Sequence, residues 1–381
     1  MDFKLSKTHQ LQRELYRNFA EAEIRPLASE MDENEEMDME LLKKMQKCGF
    51  FGIPYDKKYG GEGSDTLSYA LCMEEISKVD ASCGVTISVH TSLCCFAIDE
   101  FGNEEQKEQY LRPLVDGRHI GCFSLTEPNA GSDVGGAQTK AVRDGDDYII
   151  NGSKVFTTNS GFADTFIVFA ITDTSVPAQK GMSAFVVERG YPGVEVSADI
   201  PRMGIHAASN AMVTYEDVRV PAKNLLGKEG QGFKIGMMTL DAGRIGIAAQ
   251  AIGIAQGALN EAIKYTKERK QFGQAIIRFQ NSQFKIAKLQ TKIDAARLLV
   301  WRAAKAKDDH EPISAVAAMA KLYASDVANE VTREAVQLFG GYGYAREYPV
   351  ERMMRDAKIT EIYEGTSEVM MMVIAGSMNL K

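Results

Sequence analysis

Asp147-Tyr-Ile-Ile-Asn-Gly-Ser-Lys-Val-Phe156 decides the architecture. Two β-prone runs flank Asn151-Gly152. Asn-Gly is a favoured two-residue hairpin turn because both residues tolerate positive φ. The spacing therefore predicts a β-hairpin here. Thr165 to Ile171, Ser183 to Val187 and Met212 to Val220 are further β runs, with Pro, Gly and Asp punctuation between them. Residues 122–225 read as a compact β domain.

On both sides the apolar period becomes helical. In residues 1–121, Leu11, Leu15, Tyr16, Phe19 and Ala20 fall at helical spacing until Pro26 interrupts. Met39, Leu42 and Met45 form a second stretch, ending near Gly49. Tyr59 to Gly63 is a loop, and longer stretches run from Leu67 to Val79 and from Glu104 to Leu114. In residues 226–381 the period persists from Gly232. Ile245, Ala248, Ala249, Ile252, Ala255 and Leu259 share one face, whose small residues suit close helix packing in a bundle. The fold class is mainly α with a central β domain. Its order is not the alternation of a dinucleotide fold. Gly341-Tyr-Gly343 lacks a preceding strand, and neither a Walker loop nor G-x-S-x-G is present.

A chain of 381 residues suffices for two or three domains and a buried cofactor. Its net charge of −8 argues against general affinity for nucleic acid or an anionic membrane. The six cysteines form no C-x-x-C pair and the five histidines are scattered, so reduced thiols and no metal site are expected. Met1-Asp2-Phe3-Lys4 opens no apolar leader, and nothing resembles a run of 18 apolar residues. A cytoplasmic protein is the expectation.

Four segments carry a more specific signal. They are Phe123-Ser-Leu-Thr-Glu-Pro-Asn-Ala-Gly-Ser-Asp133, Asn151-Gly-Ser-Lys-Val-Phe-Thr-Thr-Asn159, Arg269-Lys-Gln-Phe-Gly273, and Gln337-Leu-Phe-Gly-Gly341 through Arg355-Asp356 to Ile362-Tyr-Glu-Gly-Thr-Ser367. In this order they resemble the acyl-CoA dehydrogenase family, over essentially the whole chain. The resemblance implies an N-terminal helical domain, a β-barrel-like middle domain and a C-terminal four-helix bundle. It also implies FAD, a homotetramer and an electron-transferring flavoprotein as partner. The implied reaction is α,β-dehydrogenation of an acyl-CoA to the trans-2-enoyl-CoA, with the flavin N5 accepting the β-hydride.

That chemistry needs a base for the α-proton and stabilisation of the enolate oxygen. By the resemblance, Glu364 is the base, and its backbone N–H with a flavin ribityl hydroxyl holds the thioester oxygen. Burial beside an acyl chain would raise its pKa and its basicity. Some relatives carry the base just before the arginine of Asp241-Ala-Gly-Arg244; here that position is Gly243, which cannot serve. The resemblance assigns Phe123, Leu125, Thr126, Ser132, Phe156, Thr158, Gln280, Thr366 and Glu368 to FAD. Arg269 and Gln271 would reach the FAD of a neighbouring subunit, Phe272 would be a further cofactor contact, and Gln337, Gly340 and Gly341 would lie beneath the adenine. Substrate contacts would come from Ser132, Asp241, Arg244, Tyr363 and Gly365.

Plainer alternatives stand beside these roles. Thr126 and Ser132 also suit a turn, Phe156 an ordinary core aromatic, and Arg244 a structural ion pair. Met370 to Met372 suit a core or subunit contact, and His90 a structural rather than pocket-lining role. Residues from about Met73 to Phe101 match the family's pocket helices. Ile87 to Cys95 resembles short-chain members, favouring a butyryl-type substrate. The same chemistry could run as a 2-enoyl-CoA reductase. A non-catalytic flavoprotein and an oxygen-using relative remain as other classes.

Overall fold

The structure, a computed structural model, describes residues 4–378 and 380. Helices fill the chain up to Val115, and side-chain caps start several of them. Asp65 accepts from Ser68 N–H, and Asp80 from Cys83 N–H, each at 2.8 Å. Such caps satisfy amide groups that have no partner within the helix. Ala81–Phe101 is one continuous helix, π-helical over Val89–Cys95. By length and composition alone it is apolar enough to cross a membrane, although Ser, Thr and His residues interrupt the apolar run. Nearly all of it is buried inside the molecule, as a core helix is.

The eight-stranded sheet comprises β1 (Gly121–Ser124), β2 (Lys140–Asp144), β3 (Asp147–Thr158), β4 (Thr165–Ile171), β5 (Met182–Glu188), β6 (Val194–Asp199), β7 (Asn210–Pro221) and β8 (Leu225–Leu226). Among the described residues its path is β6-β7-β3-β2-β4-β5-β8, with β1 parallel to β4. The expected hairpin at Asn151-Gly152 is corrected. Both residues lie inside β3, and the chain turns earlier at Gly145-Asp146, where Gly145 has φ +64°. Asn151-Gly152 marks a register shift against β7. Asn151 bonds both ways with Asp217 (3.0 and 2.8 Å), which itself has φ +49°. A Cβ on Gly152 would come within 2.7 Å of Thr139 Cα, so glycine is needed for close approach.

Gly232–Glu268, the central helix, has 37 residues. It packs on Ser314–Phe339 and Gln280–Asp308 of the bundle, and on Thr66–Ser77 of the first segment. All six residues of its expected core face are buried, and burial encircles it from Ala242 to Leu259 with few gaps. A Cβ on Gly253 would lie 2.5 Å from the Glu74 carbonyl, and one on Gly257 would overlap that of Lys78. Glycine thus sets how closely these helices approach. Two short helices, Val350–Ile359 and Ser367–Ser377, close the bundle, and the turn between them carries Glu364.

Candidate active site

Val350–Ile359 stops where Thr360 to Tyr363 turn back on themselves, and Thr366 caps Ser367–Ser377 by accepting from Val369 N–H at 3.3 Å. Between these ends, Glu364 has φ +51° and Gly365 φ +100°. A left-handed glutamate is uncommon and is held only where its surroundings compel it. Arg244 Nε of the central helix donates to the Glu364 carbonyl at 3.3 Å. Lys321 Nζ of helix Ser314–Phe339 donates to the Gly365 carbonyl at 2.7 Å. Among the described residues, nothing accepts from the N–H groups of Glu364, Gly365 or Thr366.

Both carboxylate oxygens of Glu364 are buried without a hydrogen-bond partner. Burial raises this carboxyl to about 8, against the opposing pull of Arg244 and Lys321. An orphaned buried carboxylate is costly unless another group is to meet it. Gly243 makes its room: a Cβ there would overlap Glu364 Oε2 and lie 2.7 Å from Leu93 Cδ2. The position that carries the base in some relatives is thus in space the position facing Glu364. Arg244 is buried and ion-paired with Asp241, which accepts also from Ser314 at 3.2 Å. Its ion pair and its contact with the Glu364 turn coexist. Tyr363 donates to Gln250 on the central helix. Glu368 is exposed.

A second group lies on β1 and β3. Phe156 is 60% exposed with φ +55°, where β3 breaks register with β7, so it is no ordinary core aromatic. Thr158 Oγ1 accepts from Asn210 Nδ2 at 2.9 Å, leaving its own proton to donate elsewhere. Phe123 packs edge-on against Phe169. Lys154, wholly buried and paired with Glu127 at 2.8 Å, donates to the Leu125 carbonyl at 3.1 Å. Thr126, half-buried, accepts from Val155 N–H at 2.9 Å. The space beside Gly236 is bounded by Leu125, and that beside Gly243 by Glu364. These glycines are seven residues apart, so the first two groups lie about 10 Å apart along one helix face.

A third group is distant. Arg269, Gln271, Gln337, Gly340 and Gly341 line a cavity of about 770 Å³ with Asn281 and Lys285. Arg269 follows Gly243 by 26 residues, roughly 39 Å along the central helix axis. A Cβ on Gly340 or Gly341 would meet nothing, so their backbone faces open space. Arg269 sits 5.4 Å from the Tyr342 ring centroid. Phe272 is 94% exposed. Ser132 and Gln280 are exposed and fall in none of the three groups.

The sequence reading missed Lys321, Gln250, Asn210 and Tyr342. Lys321 had a signal: it interrupts the helical stripe Ala317, Ala320, Ala324, Ala328, all buried. His90 is a core residue, as its plainer alternative held. Its Nδ1 accepts from Gly121 N–H at 3.0 Å, and Nε2 lies 3.2 Å from Cys95 Sγ.

A buried carboxylate without a partner, set among helices and facing Gly243 of the central helix, suits an enzyme rather than a binding module. Family models for the acyl-CoA dehydrogenase N-terminal, middle and C-terminal domains match residues 6–118, 122–218 and 230–379. The chain is 54% identical over 376 residues to the short-chain specific acyl-CoA dehydrogenase of Clostridium acetobutylicum, covering 99% of each. It is 46% identical over 372 residues to subunit CarC of the caffeyl-CoA reductase-Etf complex of Acetobacterium woodii, covering 97% of this chain and 98% of that one. The solved butyryl-CoA dehydrogenase of Megasphaera elsdenii matches with a TM-score of 0.98 and 49% identity over the whole of both chains. The chain belongs to the acyl-CoA dehydrogenase family, whose members are FAD-dependent oxidoreductases.

The residues present fit FAD. Phe156 offers an exposed aromatic face, Thr158 an uncommitted hydroxyl proton, and the third group a cavity with guanidinium, ammonium and amide donors suited to a pyrophosphate.

Proposed function

We propose that this protein dehydrogenates a short-chain acyl-CoA of the butyryl kind to the trans-2-enoyl-CoA, passing electrons to an electron-transferring flavoprotein. What supports it most is Glu364, whose buried, unpartnered carboxylate stands beside open backbone N–H groups. Bound FAD supplies the acceptor for the hydride leaving the β-carbon. Glu364 takes the α-proton, and its raised pKa makes it a stronger base than an ordinary carboxylate. Its own N–H binds the thioester oxygen as negative charge develops there. Tyr363, Gly365, Asp241, Arg244 and Ser132 bound the substrate. Phe123, Leu125, Thr126, Ser132, Phe156, Thr158, Thr366 and Glu368 serve the flavin of their own chain, and Gln280, next in sequence to Asn281 of the Arg269 cavity, makes a further cofactor contact. Arg269, Gln271, Phe272, Gln337, Gly340 and Gly341 serve the flavin of a second subunit in a homotetramer. Residues 1–121, 122–225 and 226–381 are its domains, and the cytoplasm is its place.

Anaerobic titration with butyryl-CoA tests this. The flavin absorbance should bleach in wild type. Glu364→Gln should keep its FAD and lose turnover by at least about 100-fold; near-normal turnover in that variant sinks the assignment. The reverse direction is the second reading, favoured by the likeness to a subunit of a reductase-Etf complex. Crotonyl-CoA reoxidising the reduced enzyme faster than butyryl-CoA reduces it would support that direction.

A further inference from the structure

We propose that Lys321 is a positioning residue for Glu364: its ammonium clamps the turn that carries the base and supplies the unbalanced positive charge facing it. This rests on the reading of Glu364 as the base.

Lys321 is wholly buried on an otherwise small, apolar stripe of Ser314–Phe339. Among the described residues, no carboxylate oxygen lies within salt-bridge reach of its Nζ, and the one acceptor it meets is the Gly365 carbonyl. Burying an ammonium without a paired anion is expensive, and an apolar side chain would fill the same stripe at less cost. Its place therefore calls for a reason beyond packing.

The turn provides that reason in two ways. Arg244 and Lys321, from different helices, hold the carbonyls of two consecutive left-handed residues. A peptide N–H points away from the carbonyl of its own plane. Fixing these two carbonyls thus turns the Gly365 N–H away from Arg244 and the Thr366 N–H away from Lys321. The second way is charge. Facing this region are Arg244 and Asp241 from the central helix, Glu361 and Tyr363 from the turn, Glu368 from Ser367–Ser377, Asp326 from Lys321's own helix and Tyr69 from Thr66–Ser77. Arg244 is matched by Asp241. Lys321 has no such match, and among charged groups Glu364 acts on it most strongly. The Lys321 ammonium therefore favours the ionised form of Glu364 against the burial that opposes it.

Lys321→Gln keeps a donor for the Gly365 carbonyl and drops the charge, whereas Lys321→Arg keeps the charge. Two readouts on the FAD-loaded enzyme separate the roles: the pH profile of kcat/KM for butyryl-CoA, and the infrared stretch of the protonated Glu364 carboxyl. That band is assigned by its loss in Glu364→Gln and titrated without substrate. In Lys321→Gln both midpoints should move up by about 1 pH unit with FAD retained, while Lys321→Arg stays near wild type. Lower activity with both midpoints unmoved overturns the proposal and leaves Lys321 a structural clamp. If neither variant keeps FAD, the wild-type band decides: burial lowers Lys321 to about 8, so it titrates alongside Glu364 and spreads the band beyond a one-proton curve, and a one-proton curve overturns the proposal. Activity in Glu364→Gln would instead overturn the reading of the base itself.

Discussion

A single hydrogen at Gly243 decides whether Glu364 has a place. A methyl there would overlap Glu364 Oε2 and crowd Leu93. Gly243→Ala should retain FAD and lower kcat/KM by at least about 10-fold, because a displacement of roughly 1 Å in a reacting group is enough. Unchanged kcat/KM would show that the carboxylate is not confined there. Glu364 also ties stability to pH. Its folded pKa, about 8, lies above the ordinary 4.5, so the folded state holds its proton more tightly than the unfolded state. The resulting stabilisation is full below about pH 4.5 and lost as pH rises through about 8. Glu364→Gln has no such proton to lose. Its melting temperature relative to wild type should therefore climb between about pH 5 and pH 9, by on the order of 1–3 kcal/mol of stability. Asp356, also raised by burial, is common to both proteins and cancels in the comparison. A flat difference would mean that Glu364 is not buried as a charge.

At the scale of elements, the central helix touches every part of the machinery, and its glycines set the distances. Gly253→Ala would press a methyl onto the Glu74 carbonyl of Thr66–Ser77, where backbone cannot retreat as a side-chain tip can. The expected cost is about 1–3 kcal/mol, as for other overpacked sites, read as a lowered midpoint in denaturant. Turnover per folded molecule should hold, since Glu364 borders Gly243, about 15 Å further along the helix. This helix was legible because its apolar pattern is long and uninterrupted. Asn151-Gly152 misled because the same two residues satisfy a turn and a bulge; only the Asn151–Asp217 pairing across the sheet distinguishes them. β1, β2, β6 and β8 were not legible, for related reasons. β1 is four residues long, and β6 is an edge strand with little buried surface. Among site residues, Glu364 and Gly243 were readable because a motif carries each. Lys321 and Asn210 act through contacts 44 and 52 positions away, a separation at which periodicity has nothing to report.

At the scale of the whole molecule, the proposed roles give one chain two half-sites. Glu364 sits inside the bundle, while Arg269 opens onto a separate cavity roughly 39 Å further along the central helix. No single FAD site can draw on both ends in the way the motifs ask. The contradiction disappears if a two-fold axis brings the Arg269 end of one subunit to the flavin of another, as an isologous interface does. The exposed Phe272 beside that cavity would then be covered rather than wet. The consequence is complementation between two defective chains. Glu364→Gln lacks the base, and Arg269→Ala should weaken FAD binding by loss of its guanidinium contact. In a mixed pair, one site carries both defects and the other carries neither. Random reassembly of equal amounts makes about half of the pairs mixed, so about a quarter of all sites should regain full activity. The check is to unfold the two variants together, refold them with FAD, and compare turnover with that of each refolded alone. If Arg269 serves the flavin of its own subunit, every site keeps one defect and mixing restores nothing.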